Sequence, residues 1–312
     1  VSGGLAAVLV EAFSEAPGAG NGAAVVRLQG PVGDGWMQAV AGSLRQSETA
    51  FLLAEGDHWR LRWFTPTCEV PLCGHATLAA LLALGHWGDL RPGQELAFHS
   101  RSGALAVGLE RAPDGAGCGK GWISLPSGEL AAAAAPLALV DLLRRRGLGS
   151  AEGFWRSRLG YAVALLPAEA PLERLEGLAG ELPEDLRGGL VLMQGWTAGT
   201  SGAEPAWVEG EAPDYRLRFF APGLGIPEDP VTGSAHALVA RWWMERLGRP
   251  RVVGWQCSDR PGGMVCEAAS SATIRLSGSG YLLWDGTLFA RPRICAAESS
   301  EASSWRHLGC AG

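Results

Sequence analysis

The chain writes one phrase twice. Arg62-Trp63-Phe64-Thr65-Pro66 leads to Gly74-His75-Ala76, and Arg218-Phe219-Phe220-Ala221-Pro222 leads to Gly233-Ser234-Ala235-His236. The two arginines stand 218 − 62 = 156 positions apart, half of the 312 residues. Each phrase reads as an aromatic strand, a Pro-bearing loop, then a small-residue turn opening an apolar helix. A chain duplicated in this way is expected to form two similar units, with the equivalent turns face to face across a cleft.

The segments between the phrases alternate β and α. Ala6 to Phe13, Ala23 to Gln29, Trp59 to Phe64, Glu95 to His99 and Ala104 to Leu109 are β-rich, and Ser47 to Leu52 looks like entry to a strand. Trp36 to Leu44 has helical spacing. Thr77 to Leu84 is apolar on every side, with Gly85 as the expected C-terminal cap; such a helix must be buried with sheet around it. The alanine run Ala131 to Ala135 reads either as the crossing into the second half or as the start of an alanine-rich helix, and Leu137 to Arg146 as a helix. The second half then offers strands at Leu190 to Met193 and Tyr215 to Phe220 and a helix over Ala235 to Leu247, followed by Gly248. Two closing strands are expected at Thr273 to Leu276 and Tyr281 to Phe289, before a Ser-, Ala- and Glu-rich tail. In that tail loose order is expected.

Composition narrows the function classes. Hydrophobic content of 47% with 19% charge is ordinary for a globular protein, and the length suffices for about two cores. A net charge of −6 and a pI near 5.6 argue against nucleic acid or an anionic membrane as partner. No apolar run reaches the roughly 20 residues of a membrane span, and Val1-Ser2-Gly3-Gly4 carries no basic stretch of a signal peptide. Seven scattered cysteines, an odd number, read as free thiols in a reducing compartment. Cys68, Cys73 and His75 lack a second ligand pair at zinc-like spacing, so no metal site is expected.

Chemistry is expected at the repeated turns. The first N–H groups of each helix have no intrahelical partner and sit at its positive end. Gly74 and Gly233 let a ligand approach the backbone, so a carboxylate or phosphate between the turns would be held by both; alternatively they only let helix and strand pack tightly. Glu48 is a lone carboxylate at a strand edge. Partial burial would raise its pKa toward neutrality and suit it to take and give a proton; the alternative is an exposed surface residue. His75 could act in either protonation state, or be a hydrogen-bonded core residue. Asp229 could cap the turn at Pro230, or orient His75 or a substrate amine.

Gln46-Ser47-Glu48-Thr49-Ala50-Phe51, Arg62 to Pro66, Glu69-Val70-Pro71-Leu72-Cys73-Gly74-His75-Ala76-Thr77 and Glu228-Asp229-Pro230-Val231-Thr232-Gly233-Ser234-Ala235-His236 resemble the motifs of the PhzF-type phenazine-biosynthesis family, in the same order. The likeness runs from about Val8 to about Ala290 and is strong toward the family's eukaryotic branch, the phenazine biosynthesis-like domain-containing proteins. It implies a diaminopimelate-epimerase-like fold of class α/β (α+β), in which two similar domains each wrap a curved, mostly antiparallel sheet around a central apolar helix. The domains would cover residues 1–129, completed by strands at about 281–294, and 130–280, with a tail at 295–312. It implies a homodimer and, by analogy, a cytoplasmic protein.

The resemblance further implies an isomerase that uses neither cofactor nor metal. The family's characterised enzyme moves a hydrogen within a dihydro-hydroxyanthranilate. Carried over by motif, Glu48 is the acid/base, and His75 and Asp229 orient the substrate and relay protons. Ser47, Gly74, Ala76, Thr232, Gly233, Ser234 and Ala235 bind a small carboxylic acid. Gln256 and Arg260 lie in a further family-like segment without an assigned catalytic role. The chain departs from the family pattern with Glu11-Ala12-Phe13-Ser14 and Gly20-Asn21-Gly22. Two other readings stay open. In one, Cys73 runs epimerase- or dehydratase-type chemistry, although its counterpart in the second turn is Thr232 rather than a second thiol. In the other, a binding or scaffold protein keeps the pocket without turnover and uses tryptophans for partners, since Trp242 and Trp243 are not expected to face one core together.

Overall fold

The computed structural model describes residues 4–196 and 207–289. Its described helices are α1 (Asp34–Leu44), α2 (Gly74–Trp87), α3 (Leu137–Arg145), α4 (Leu178–Glu181) and α5 (Gly233–Leu247). The rest is dominated by strands.

In the first half, strands close into a ring. Leu5–Ala12 pairs antiparallel with Asn21–Leu28, which runs parallel to Glu48–Glu55. Glu48–Glu55 pairs antiparallel with His58–Phe64, itself parallel to Glu95–Ser100. Gly103–Arg111 and Cys118–Pro126 follow antiparallel, and Thr273–Leu288 closes the ring against both Cys118–Pro126 and Leu5–Ala12. The second half repeats the order with Leu130–Ala132, Gly153–Ser157 and Ala162–Leu165, the last parallel to Leu190–Gly195. Tyr215–Ala221, Arg251–Gln256 and Gly262–Ala268 then lead back to Thr273–Leu288. The long strand is thus shared: Ile274–Ser277 pairs with Gly262–Ala268 on one edge and with Cys118–Pro126 on the other, and Gly280–Leu288 pairs with Leu5–Ala12.

Each half holds one helix. From Gly74 to Leu84 every residue of α2 is buried, and α5 buries both faces through Ala235, His236, Leu238, Val239, Trp243 and Met244. A helix without a polar face finds its stable place only where apolar side chains meet it from all directions. Truncating any fully buried leucine of α2 (Leu78, Leu81, Leu82, Leu84) to alanine would cost about 2–5 kcal/mol.

Several expectations are corrected. The cap of α2 is Gly88, in the left-handed conformation at φ 79°; Gly85 lies inside the helix, where a Cβ would stand 2.8 Å from Leu109 Cδ2. The two closing strands are one, because Ser277-Gly278-Ser279-Gly280 is no turn: its glycines clear space for Phe13 and Leu82, whose atoms lie 2.6 and 2.7 Å from the Cβ positions. The alanine run is not a helix start; Leu130–Ala132 is a strand against Trp155-Arg156-Ser157 and α3 begins only at Leu137. Trp243 is buried, while Trp242 is half-covered by Trp155 and Arg246. The five cysteines of the described residues are free. The tail expected from residue 295, with Cys295 and Cys310, lies outside the described residues. Among those residues no helix is long and apolar enough to cross a membrane.

Candidate active site

The repeated phrase has a structural meaning that its spelling hides. Arg62 forms a two-pronged ion pair with Glu69, at 2.7 and 2.8 Å, and Arg218 forms the same pair with Glu228, at 2.6 and 2.6 Å. Each pair ties an aromatic strand to the segment that leads into the central helix, and so aims that helix. The result is a direct approach of the two N-termini. A Cβ on Gly74 would stand 3.2 Å from the Gly233 Cα, and one on Gly233 would stand 3.3 Å from the Gly74 Cα. Neither helix has a side-chain cap at this end, so two positive helix ends converge on one spot.

Around that spot the structure gathers Glu48, His75 and Asp229, all buried. Glu48 opens its strand and His75 sits in the first turn of α2; Glu48 Oε2 lies 3.0 Å from His75 Nε2. The approach is not a well-aligned hydrogen bond, and Oε2 has no other partner among the described residues. A buried carboxylate oxygen left open in this way asks for an explanation. Burial alone would raise the Glu48 pKa, but His75 outweighs it, with help from Ser47 and Cys73, so the group is held below the usual carboxylate range. The expectation of a pKa lifted toward neutrality is therefore corrected: the neighbouring imidazole, invisible from local sequence, decides the sign. Burial pushes His75 down, while Cys73 and Glu48 pull it up more strongly, and the net shift is well upward.

Asp229 does not touch His75 directly. Asn21 stands between them, its amide nitrogen donating to Asp229 Oδ1 at 2.7 Å and to the Val231 carbonyl at 3.0 Å, and lying 3.1 Å from His75 Nδ1. Asn21 thereby spans from the first half to the second. Burial lifts Asp229 to about 6, against the pull of His75 and with a push from Glu48. Thr232 Oγ1 donates to the other Asp229 oxygen at 2.5 Å. Gln256 accepts the Thr232 N–H at 2.8 Å and donates to the Asp229 carbonyl at 2.5 Å, so it braces this turn. Arg260 pairs with buried Glu11 near the chain's start.

The proposed substrate-binding residues divide in two. Gly74, Ala76, Gly233, Ser234 and Ala235 lie in the opposed first turns. Ser47 and Thr232 are already engaged: Ser47 Oγ lies 2.9 Å from both Asn21 Oδ1 and the Gly22 carbonyl, and 3.2 Å from His75 Nε2. Cys73, His75 and Glu48 bring one donor atom each within 4.8 Å of one another, a set that could ligate a divalent cation. Burial, with Glu48 adding to it, pushes the Cys73 thiol up to about 11, which makes it a poor ligand and a poor nucleophile. Cys68 is no part of this cluster; it packs against Thr65.

Residues 10–131 and 194–286 match the PhzC-PhzF family, described as phenazine biosynthesis-like protein. The chain belongs to the PhzC-PhzF family. An isomerase of Pseudomonas aeruginosa, described as uncharacterized, is 35% identical over 279 residues, covering 89% of this chain and 96% of its own. The human phenazine biosynthesis-like domain-containing protein is 30% identical over 301 residues, covering 90% and 98%. A solved structure of a PhzF-family phenazine biosynthesis protein from Enterococcus faecalis superposes with a TM-score of 0.77 at 27% identity, covering 92% and 100%. The duplicated, sheet-dominated α+β fold is that of PhzF-family and epimerase-like structures, and the kind of function is that of an isomerase or epimerase.

Around this candidate site two residues went unread from sequence. Asn21 was visible only as part of a motif that departs from the family pattern. Tyr161 carried no signal: it precedes a short strand, yet its hydroxyl lies 3.4 Å from Ser234 Oγ and its ring centroid 4.7 Å from that of Phe219. Its position emerges only from strand pairing between segments distant in sequence.

Proposed function

We propose that this protein is a PhzF-type isomerase that moves a proton within a small carboxylic acid, with Glu48 as the acid/base. The observation that carries the reading is the buried Glu48 carboxylate, with Oε2 3.0 Å from His75 and without a hydrogen-bond partner of its own, beside two helix N-termini whose first N–H groups suit a substrate carboxylate. With the carboxylate anchored there, Glu48 takes a proton from a neighbouring C–H. The electron pair of that bond enters the substrate's conjugated system, a double bond shifts, and Glu48 returns the proton to a second carbon. His75 stabilises the charge on Glu48, and Asp229 holds His75 in place through Asn21. A carboxylate and an imidazole supply everything these steps require, so the proposed reaction is cofactor-independent.

Proton NMR in D2O tests this, with dihydro-hydroxyanthranilate and a panel of small amino and hydroxy acids. Wild type should place deuterium on carbon or shift a double bond, and Glu48→Gln should lose at least about a hundredfold in rate, the lower end of general acid–base contributions. Exchange that persists in Glu48→Gln would refute the assignment.

A further inference from the structure

Strand register gives every active-site position of the first half an equivalent in the second. Phe64 and Phe220 hold the same place in the repeated phrase; Thr49 pairs with Phe64 and Leu190 with Phe220. The residue before each is Glu48 in one half and Gly189 in the other. The parallel neighbours follow suit: Ala24 pairs with Thr49 and Ala162 with Leu190, which makes Tyr161 the equivalent of Ala23. On the helices Gly74 matches Gly233, so His75 matches Ser234.

The place of the missing second carboxylate is filled. A Cβ on Gly189 would stand 2.5 Å from Tyr161 Cδ1 and 3.0 Å from Cε1, and the φ of 155° there suits glycine. The Tyr161 ring lies where a second glutamate would begin. Its hydroxyl then meets Ser234 at 3.4 Å, as Glu48 meets His75 at 3.0 Å. Burial keeps this phenol protonated, with Ser234 opposing and Asp229, Cys73 and Glu48 adding to the upward shift. It is a donor, not a base, and it lies close enough to feel all three groups of the cleft.

We propose that Tyr161 and Ser234 are the second half's counterpart of the Glu48–His75 pair, and that the Tyr161 hydroxyl donates a hydrogen bond to a hydroxyl or carbonyl oxygen on the substrate face turned away from Glu48. The inference rests on the acid/base reading of Glu48 for which face is which.

The test is calorimetric titration of wild type, Tyr161→Phe and Glu48→Gln with anthranilate and 3-hydroxyanthranilate, which differ by one hydroxyl. Tyr161→Phe keeps the ring that fills the Gly189 space, so the fold is preserved. Wild type should favour the hydroxylated acid by roughly fivefold, the factor one neutral hydrogen bond supports. Tyr161→Phe should bind both acids alike. A wild type that binds neither acid better than the other, or a preference that survives in Tyr161→Phe, would overturn the assignment. Glu48→Gln separates the two claims: it should keep the preference while losing deuterium exchange, and exchange unaffected by it would sink the proton-transfer reading without touching the Tyr161 result.

Discussion

The matched arginine pairs offer an experiment with its own control. Glu228→Gln and Glu69→Gln make the same chemical change at equivalent places, yet the arginines left behind differ. The Arg218 side chain is 2% exposed; without the Glu228 charge it keeps hydrogen bonds to the Leu172 and Glu173 carbonyls and almost no water. The Arg62 side chain is 19% exposed and keeps an ion pair with Asp34 at 2.7 Å. Breaking a buried ion pair by neutralising one partner costs about 3–5 kcal/mol. Because Glu228 itself is 20% exposed, the lower end, about 3 kcal/mol, applies to Glu228→Gln. For Glu69→Gln the remaining anion and solvent reduce the loss at Arg62 to about 1 kcal/mol, and the partly exposed Arg101, which also pairs with Glu69 at 2.9 Å, adds up to about 1 kcal/mol more. Urea unfolding followed by tryptophan fluorescence reads both values. Equal losses, or a larger loss in Glu69→Gln, would refute the argument that burial of the arginine sets the cost.

Other outcomes follow from the same geometry. Asp229 sits at about 6 in the folded chain and starts from an ordinary value of 3.8, so between those pH values the folded state keeps a proton that the unfolded state has lost. Stability then falls as pH rises through that window; Asp229→Asn should gain on wild type from pH 4 to 6 and hold level above, and urea midpoints showing a constant difference would contradict it. Cys73→Ser should keep deuterium exchange within about tenfold of wild type, because a thiol held at about 11 is not the base; complete loss with intact folding would favour thiol chemistry. Gly74→Ala sets a methyl 3.2 Å from the Gly233 backbone and should cost about 1–3 kcal/mol by overpacking, checked by thermal unfolding.

The duplication was legible because strand, loop and helix start recur in one spelling, and the buried helices because Thr77 to Leu84 has no polar face. The grouping of Glu48, His75 and Asp229 followed from residue types at the repeated turns and from motif order. What sequence could not supply was pairing at long range. Tyr161 enters the site through Ser234, 73 positions away, and Asn21 meets Asp229 across 208 positions. The sign of the Glu48 shift likewise depended on His75, a neighbour in space and not in the chain. Small residues misled twice, at Gly85 and at Gly278 and Gly280, because a glycine that clears room for a neighbour is spelled like one that ends an element.

The two halves agree where both copies must act and differ where one suffices. Arg62–Glu69 and Arg218–Glu228 tie both helices to their strands, and Gly74 and Gly233 let the two helix ends approach each other closely. At the candidate site the copies part: Glu48 corresponds to Gly189, His75 to Ser234 and Cys73 to Thr232. On the proposed reading this has a stereochemical consequence. Inversion at carbon needs a base on one face and an acid on the other that can also trade roles for the reverse reaction. Here one face carries a carboxylate held below its usual range, and the other a phenol held above its own. Two groups so far apart in proton affinity do not exchange roles. On that reading the proton that leaves to Glu48 returns from Glu48 to the same face of the substrate, and its return at a different carbon makes the proposed chemistry a shift along the molecule.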